Sequence, residues 1–116
     1  MVTTQDSITR AIVDFAFASY ARPLDAARRD ALIARVMDML GCAIAASEDE
    51  EVARIAKAIG FTGESGPCTA LLRGRGAVDT VAFLNGLMVR FHDWNDTYVG
   101  KNGGHPSDIV AAALAA

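Results

Sequence analysis

The chain's 116 residues, 52% hydrophobic and 22% charged, make one globular domain or a piece of a larger one, and exclude disorder as its main character. A net charge of −3 without any basic tract argues against nucleic acid as a partner. Asp38 interrupts the longest apolar run, around residues 36–46, so no membrane span is expected, and the opening MVTTQDS lacks the basic and apolar regions of a secretion signal.

Abundant alanine, few aromatics and apolar residues at helical spacing favour an all-α fold, a helical bundle. A first helix is expected from about Ser7 to Tyr20. Ile8, Ile12, Phe15 and Ser19 share one face, but Val13, Phe17 and Tyr20 spread apolar surface nearly all round, so burial on several sides is expected. Pro23 ends this helix, because its ring pushes the preceding residue out of helical space. Asp25 is a good cap for a second helix reaching about Ala46. Its apolar stripe runs through Leu32 or Ile33, Val36, Leu40 and Ile44, and Arg28, Arg29, Asp30 and Arg35 form a wet face. The later half is almost wholly apolar and should enter a core. Gly41 there costs about 1 kcal/mol relative to alanine, which a close helix crossing would justify.

SEDE at 47–50 fits a capping box, with Ser47 as cap and Glu50 reaching back. The third helix that follows is expected to bury Val52, Ile55, Ala56 and Ile59 and to stop at Gly60. FTGESGPC reads as loop, CTALL as a short extended segment near residues 67–74, and RGRG at 73–76 as a turn. The glycines there match neither a Walker motif nor a dinucleotide fingerprint. Asp79 can start a fourth helix, with Val81, Leu84, Met88 and Phe91 on one stripe and Gly86 permitting close approach. Pro106 suits the first position of a fifth helix. That helix meets the end of the sequence with neither a stop signal nor a polar tail. The 116 residues are therefore expected to be a single helical domain or the N-terminal fragment of a larger one. Cys42 and Cys68 lack CxxC spacing; they can form one bridge or stay reduced, and the cytoplasm is the default compartment.

Between the last two helices lies HDWNDTYVGKNGGHPSD, residues 92–108, which concentrates the chain's proton-transfer chemistry. Histidine is the side chain that ordinarily changes charge near neutral pH, so His105 is the candidate general acid or base. It precedes a helix start whose N–H groups, at Ser107, Asp108 and Ile109, attract carboxylates. Gly103 and Gly104 let the backbone approach a ligand closely. The alternative is a histidine that satisfies loop hydrogen bonds. Asp93 and Asp96 sit at the end of the fourth helix, where acids oppose its dipole, a local violation of the sort found at functional sites. Asp93 can orient His105, bind a substrate hydroxyl or act as base; both acids can equally be turn formers. Thr97 and Tyr98 can donate hydrogen bonds to a substrate carboxylate, and Lys101 adds a positive charge. His92 reads as a capping or core residue. Asp93, Asp96, His105 and Asp108 are metal-ligand types without a recognised metal spacing. Ser107 lies in no nucleophile motif.

HDWNDTY followed by GGHPSD resembles the signature of the MmgE/PrpD family, which includes 2-methylcitrate dehydratase, cis-aconitate decarboxylase and iminodisuccinate epimerase. RVMDMLGCAIAAS and VAFLNGLMVRFHDWNDT agree with it, so the resemblance spans most of the sequence. It implies a large helical domain beside a smaller lid-like α+β domain, usually in a homodimer. It also implies a lyase or isomerase acting on small di- or tricarboxylates without metal or other cofactor. Asp93, Thr97 and His105 match the family's active-site Asp, Thr and His. Asn95, Asp96 and Gly104 match further motif positions, and Lys101 lies in a loop that varies between subfamilies. The family's proteins are several times longer, and their further active-site lysine and histidine residues lie outside this stretch. Within 92–108, Asp93, Asp96 and Asp108 face only Lys101, a poor host for a polyanion, so more cations are expected from elsewhere. Two rivals remain: a non-catalytic helical assembly module or remnant, and metal-dependent hydrolysis.

Overall fold

The computed structural model describes residues 4–115, with side chains from residue 7 onward. Among the described residues there are five helices: α1 (Thr4–Tyr20), α2 (Ala26–Ala46), α3 (Glu50–Ala58), α4 (Val78–Arg90) and α5 (Ser107–Ala115). Two small antiparallel hairpins interrupt them, β1 (Cys68–Ala70) with β2 (Gly74–Gly76) and β3 (Tyr98–Val99) with β4 (Gly103–Gly104). The fold is thus mostly helical, in rough agreement with the all-α expectation; the extended segment expected near residues 67–74 belongs to the first hairpin, and the β3–β4 hairpin was not expected. RGRG is not simply a turn: the reversal is Leu71–Arg73, and Gly74–Gly76 form the returning strand.

The chain divides between Ala31 and Leu32 into two compact units. In the first, Asp25 caps α2 as expected, its Oδ1 accepting the Arg28 N–H at 2.8 Å. The burial expected for α1 is not found. Ile8, Ile12, Phe15, Phe17 and Tyr20 are all exposed, because one helix and the short start of another have too little surface to cover them.

In the second unit the core is made by Met39, Ala43 and Ala46 of α2, Val52 of α3, Met88 and Val89 of α4, and Ala111 of α5. The α2 stripe is rotated from the one expected. Val36 and Leu40 pack against this core, whereas Leu32, Ile33 and Ile44 are exposed. A helix apolar nearly all round carries no periodicity that could fix its buried side. Neither Gly41 nor Gly86 marks a close crossing, since an added Cβ would meet nothing within 4 Å at either.

The start of α3 also differs. Asp49 is the cap, its carboxylate accepting the Glu51 N–H at 2.8 Å. Ser47 instead donates its hydroxyl to the Ile44 carbonyl at 2.7 Å, closing the end of α2. Ser47 and Glu48 are consumed in the turn, so no capping box forms. Val52 and Ala56 are buried as expected, but Ile59 is exposed at the helix end. Gly60 adopts φ +73°, the left-handed conformation that stops a helix there.

The first hairpin is locked to α4 by Asn85, a buried amide. Its Oδ1 accepts the Leu71 N–H at 2.9 Å and its Nδ2 donates to the Thr69 carbonyl at 3.2 Å. Beneath the turn, Gly63 (φ +75°) and Gly74 (φ +105°) lie backbone to backbone, and a Cβ on either would come within 2.3 Å of a carbonyl oxygen. Val81, Leu84 and Met88 of α4 are fully buried, with Phe91 half-buried, as their spacing predicts. The helix begins at Val78, with Asp79 inside its first turn rather than at the cap. Cys42 and Cys68 are both free thiols. Among the described residues, no helix is long and apolar enough to cross a membrane.

Candidate functional site

The connection from α4 to α5 is built around two arginines and one buried amide. Asp93 ends α4 in the left-handed region, φ +56°, which aspartate tolerates better than most residues. Its carboxylate lies 2.6 Å from Nη1 of Arg90, one turn back, so a cation offsets the unfavourable dipole position. The same Arg90 Nη1 donates to Asn95 Oδ1 at 3.0 Å. Asn95 is 4% exposed and spends its Nδ2 on the Ser107 hydroxyl at 2.8 Å and Asp108 Oδ1 at 3.1 Å. These bonds fasten the segment that follows α4 to the start of α5, twelve positions further along the chain.

Asp96 holds the other side. One carboxylate oxygen accepts the Ser107 backbone N–H at 3.0 Å and the other accepts from Arg35 of α2 at 3.0 Å. Burial pushes the Asp96 carboxyl up, but the Ser107 hydroxyl, the Ser107 N–H and the Arg35 guanidinium together hold it below the usual carboxylate range. Ser107 can serve both neighbours, because its hydroxyl accepts from Asn95 while donating to Asp96. The dipole reading of Asp96 is therefore reversed: although it follows α4, it acts as the anion at the start of α5, where a negative charge is favoured. This changes the expected substrate site too. The Ser107 N–H is taken by Asp96, the Asp108 N–H by the His105 carbonyl at 3.1 Å and the Ile109 N–H by the Pro106 carbonyl at 3.3 Å. α5 starts at Ser107, one residue after Pro106.

His105 is half-buried, with Nδ1 2.8 Å from the Asp96 carbonyl oxygen. A carbonyl can only accept, so in the neutral ring Nδ1 carries the proton and Nε2 keeps its lone pair. That is the tautomer a general base needs. His105 lines a concavity of about 410 Å³ with Tyr98, Asn102, Gly103, Gly104, Pro106 and Ile109. The β3–β4 hairpin makes one wall, pairing Tyr98 with Gly104 and Val99 with Gly103. Lys101 sits in the exposed tip of this hairpin and Thr97 is exposed just before it. Gly104 contributes open backbone, since a Cβ there would meet nothing within 4 Å.

The structure thus brings His105 and Gly104 together, and gathers Asn95, Asp96 and Ser107 into the support behind them. It does not join Asp93 to His105: no hydrogen bond links them, and Asp93 is absent from the lining of the concavity. His92 is neither a cap nor a core residue but stacks on Trp94 with ring centres 4.5 Å apart. Among the described residues, no three His, Cys, Asp or Glu side chains are grouped as they would be around a metal ion.

A sequence model described as the MmgE/PrpD N-terminal domain matches residues 10–116. The chain belongs to the MmgE/PrpD family. It is similar to a Saccharomyces cerevisiae protein described as "Probable 2-methylcitrate dehydratase", 36% identical over 83 residues, or 68% of this chain and 16% of that protein. The chain thus spans a small part of that relative's length. No solved structure matches it.

Within this MmgE/PrpD domain, the supporting residues that local reading missed are Arg35, Arg90 and the carboxylate role of Asp96. Arg90 and Asp93 stand three apart at a helix end, a spacing that signals an ion pair. Arg35 reaches Asp96 across 61 residues, which no local pattern could indicate. Burial and the negative charges of Asp38 and Asp96 push the Cys42 thiol up, against a backbone hydrogen bond that lowers it, so Cys42 stays protonated and unsuited to nucleophilic work.

Proposed function

We propose that this chain forms one side of the active site of a lyase or isomerase acting on small di- or tricarboxylates, of the 2-methylcitrate dehydratase type. The reaction abstracts a proton from carbon next to a carboxylate and expels water. His105 is the general acid or base, and the observation that carries this is its Nδ1 contact with the Asp96 carbonyl beside an open concavity. Nε2 is thereby left to exchange a proton with substrate. Asp93 supplies a carboxylate for a substrate hydroxyl or for the proton itself. Thr97, Lys101 and Gly104 serve the substrate side of the family motif, and Asn95, buried with its amide already engaged, supports them from behind. Ser107 acts through the loop it anchors, since its N–H and hydroxyl are already engaged.

The charge balance supports a shared site. Arg35 and Arg90 neutralise the aspartates behind the loop, and no Asp, Glu, Lys or Arg lines the concavity. A polycarboxylate needs further cations, contributed by other segments or by a partner copy in a homodimer. The cytoplasm is the setting proposed for this enzyme.

The test is turnover of 2-methylcitrate, cis-aconitate and iminodisuccinate by the protein carrying this chain, as wild type and as His105→Ala. The substitution is expected to lower turnover by about 100-fold or more. Unchanged turnover removes His105 from its role. Absence of turnover on all three acids favours the non-catalytic assembly module, and loss of activity with a chelator favours metal-dependent hydrolysis.

A further inference from the structure

A second concavity, of about 300 Å³, lies where α3 ends against the first hairpin, and shares no lining residue with the one beside His105. Its polar walls are Lys57 of α3, Arg73 of the hairpin turn, Ser47 and Thr62; Phe61 and Leu72 supply apolar surface. No carboxylate lines it, although acids outnumber bases in the chain as a whole. Arg73 is aimed by a hydrogen bond from Nη2 to the Ser47 carbonyl, yet its Nε is buried with no acceptor. An unmet guanidinium donor is costly, and native chains rarely leave one bare without a use for it. Lys57 forms no ion pair among the described residues, so its charge is also uncommitted.

We propose that this concavity binds a small oxyanion, a carboxylate or phosphate group on a compact carbon skeleton, between Arg73 and Lys57. The guanidinium offers a planar edge that matches such groups, and Lys57 adds a second, mobile charge. The Thr62 hydroxyl provides a further donor, while Phe61 and Leu72 cover the carbon part. Nε is sealed from water in the free chain, so the ligand first meets Lys57 and the outer guanidinium nitrogens. Leu72, 70% accessible, borders this approach. The site stands independently of the chemistry at His105.

The experiment is an amide NMR titration of the 15N-labelled 116-residue chain with inorganic phosphate and, separately, with succinate, at ionic strength held constant with chloride. Saturating shifts confined to the neighbourhood of Lys57, Thr62 and Arg73, with a dissociation constant of about 1–10 mM, are expected for at least one anion. Preference for phosphate identifies a phosphoryl ligand, and preference for succinate an organic acid. Lys57→Gln, at an exposed helix position, should weaken binding by about three-fold, and Arg73→Gln by about ten-fold. Linear shifts common to chloride, saturation only around His105, or binding unchanged in Lys57→Gln would each overturn the proposal. The spectrum of each variant reports directly whether it is folded.

Discussion

The imidazole of His105 is held by the backbone of Asp96, with Nδ1 2.8 Å from the carbonyl oxygen of the same residue whose carboxylate anchors α5. Ring orientation and helix start therefore share one residue. The tautomer follows from the acceptor: neutral His105 must carry its proton on Nδ1. Nitrogen-15 shifts of the imidazole, recorded at a pH where the ring is neutral, are expected to show an Nδ1–H, Nε2-bare ring. A predominantly Nε2–H ring would show that the carbonyl contact does not persist in solution.

Asp96 also makes a stability prediction. Its side chain is 8% exposed and serves as the anion for the first turn of α5 while pairing with Arg35. Asp96→Ala leaves the Ser107 N–H without its partner and is expected to cost about 2 kcal/mol in urea unfolding. Asp96→Asn keeps an oxygen for that N–H but loses the charge, and should cost about 1 kcal/mol. Arg35→Ala should cost less than either, since that side chain is 56% exposed and its half of the pair is screened by water.

The lowered carboxyl of Asp96 fixes the sign of a pH effect. A group whose acidity is strengthened by folding stabilises the native state when ionised, and that contribution fades as the pH falls through its folded value. The urea midpoints of wild type and Asp96→Asn should therefore differ most at neutral pH and converge below about pH 4. A gap that stayed constant into acid would mean that the charge of Asp96 contributes nothing.

The reading from sequence succeeded where chemistry is local. Asp25 as a cap, Gly60 as a stop, and the Val81–Leu84–Met88 stripe each depend on neighbours within two turns, and each is found. It failed where the outcome depends on distant partners. The buried side of α2 is chosen by Val52, Met88 and Ala111 from other elements, so Ile44 is exposed while Met39 is buried. Of the free N–H groups expected at α5, that of Ser107 is consumed by Asp96, because the loop folds its carboxylate back onto the helix start, and those of Asp108 and Ile109 by the His105 and Pro106 carbonyls. The concavity beside His105 lies within the motif segment, but the bonds from Arg35, Arg90 and Asn95 that support this loop emerged only in three dimensions.

The start of α3 separates two capping schemes by mutation. With Asp49 accepting the Glu51 N–H, Asp49→Ala is expected to cost about 1 kcal/mol. Glu50→Ala should be nearly neutral, apart from a few tenths of a kcal/mol of helix-dipole energy. A capping box would instead make Ser47 and Glu50 the costly pair. Thermal unfolding of Asp49→Ala and Glu50→Ala distinguishes the two arrangements.

Two glycines predict opposite signs for the same substitution. Gly86 lies inside α4 with open space around its missing Cβ, so Gly86→Ala should stabilise this chain by about 0.5–1 kcal/mol through lower backbone entropy in the unfolded state. Gly74 has φ +105° and its Cβ would lie 2.1 Å from the Gly63 carbonyl oxygen, backbone that cannot move aside independently. Gly74→Ala must therefore separate the hairpin turn from the loop beneath it, breaking the 3.0 Å bond from the Arg75 N–H to the Gly63 carbonyl. A loss of at least about 2 kcal/mol is expected, from strain together with that bond. The same displacement would move Arg73 at the hairpin turn, so anion binding beside Lys57 should weaken in Gly74→Ala and stay unchanged in Gly86→Ala. Urea unfolding measures the first pair of effects, and the phosphate and succinate titrations measure the second.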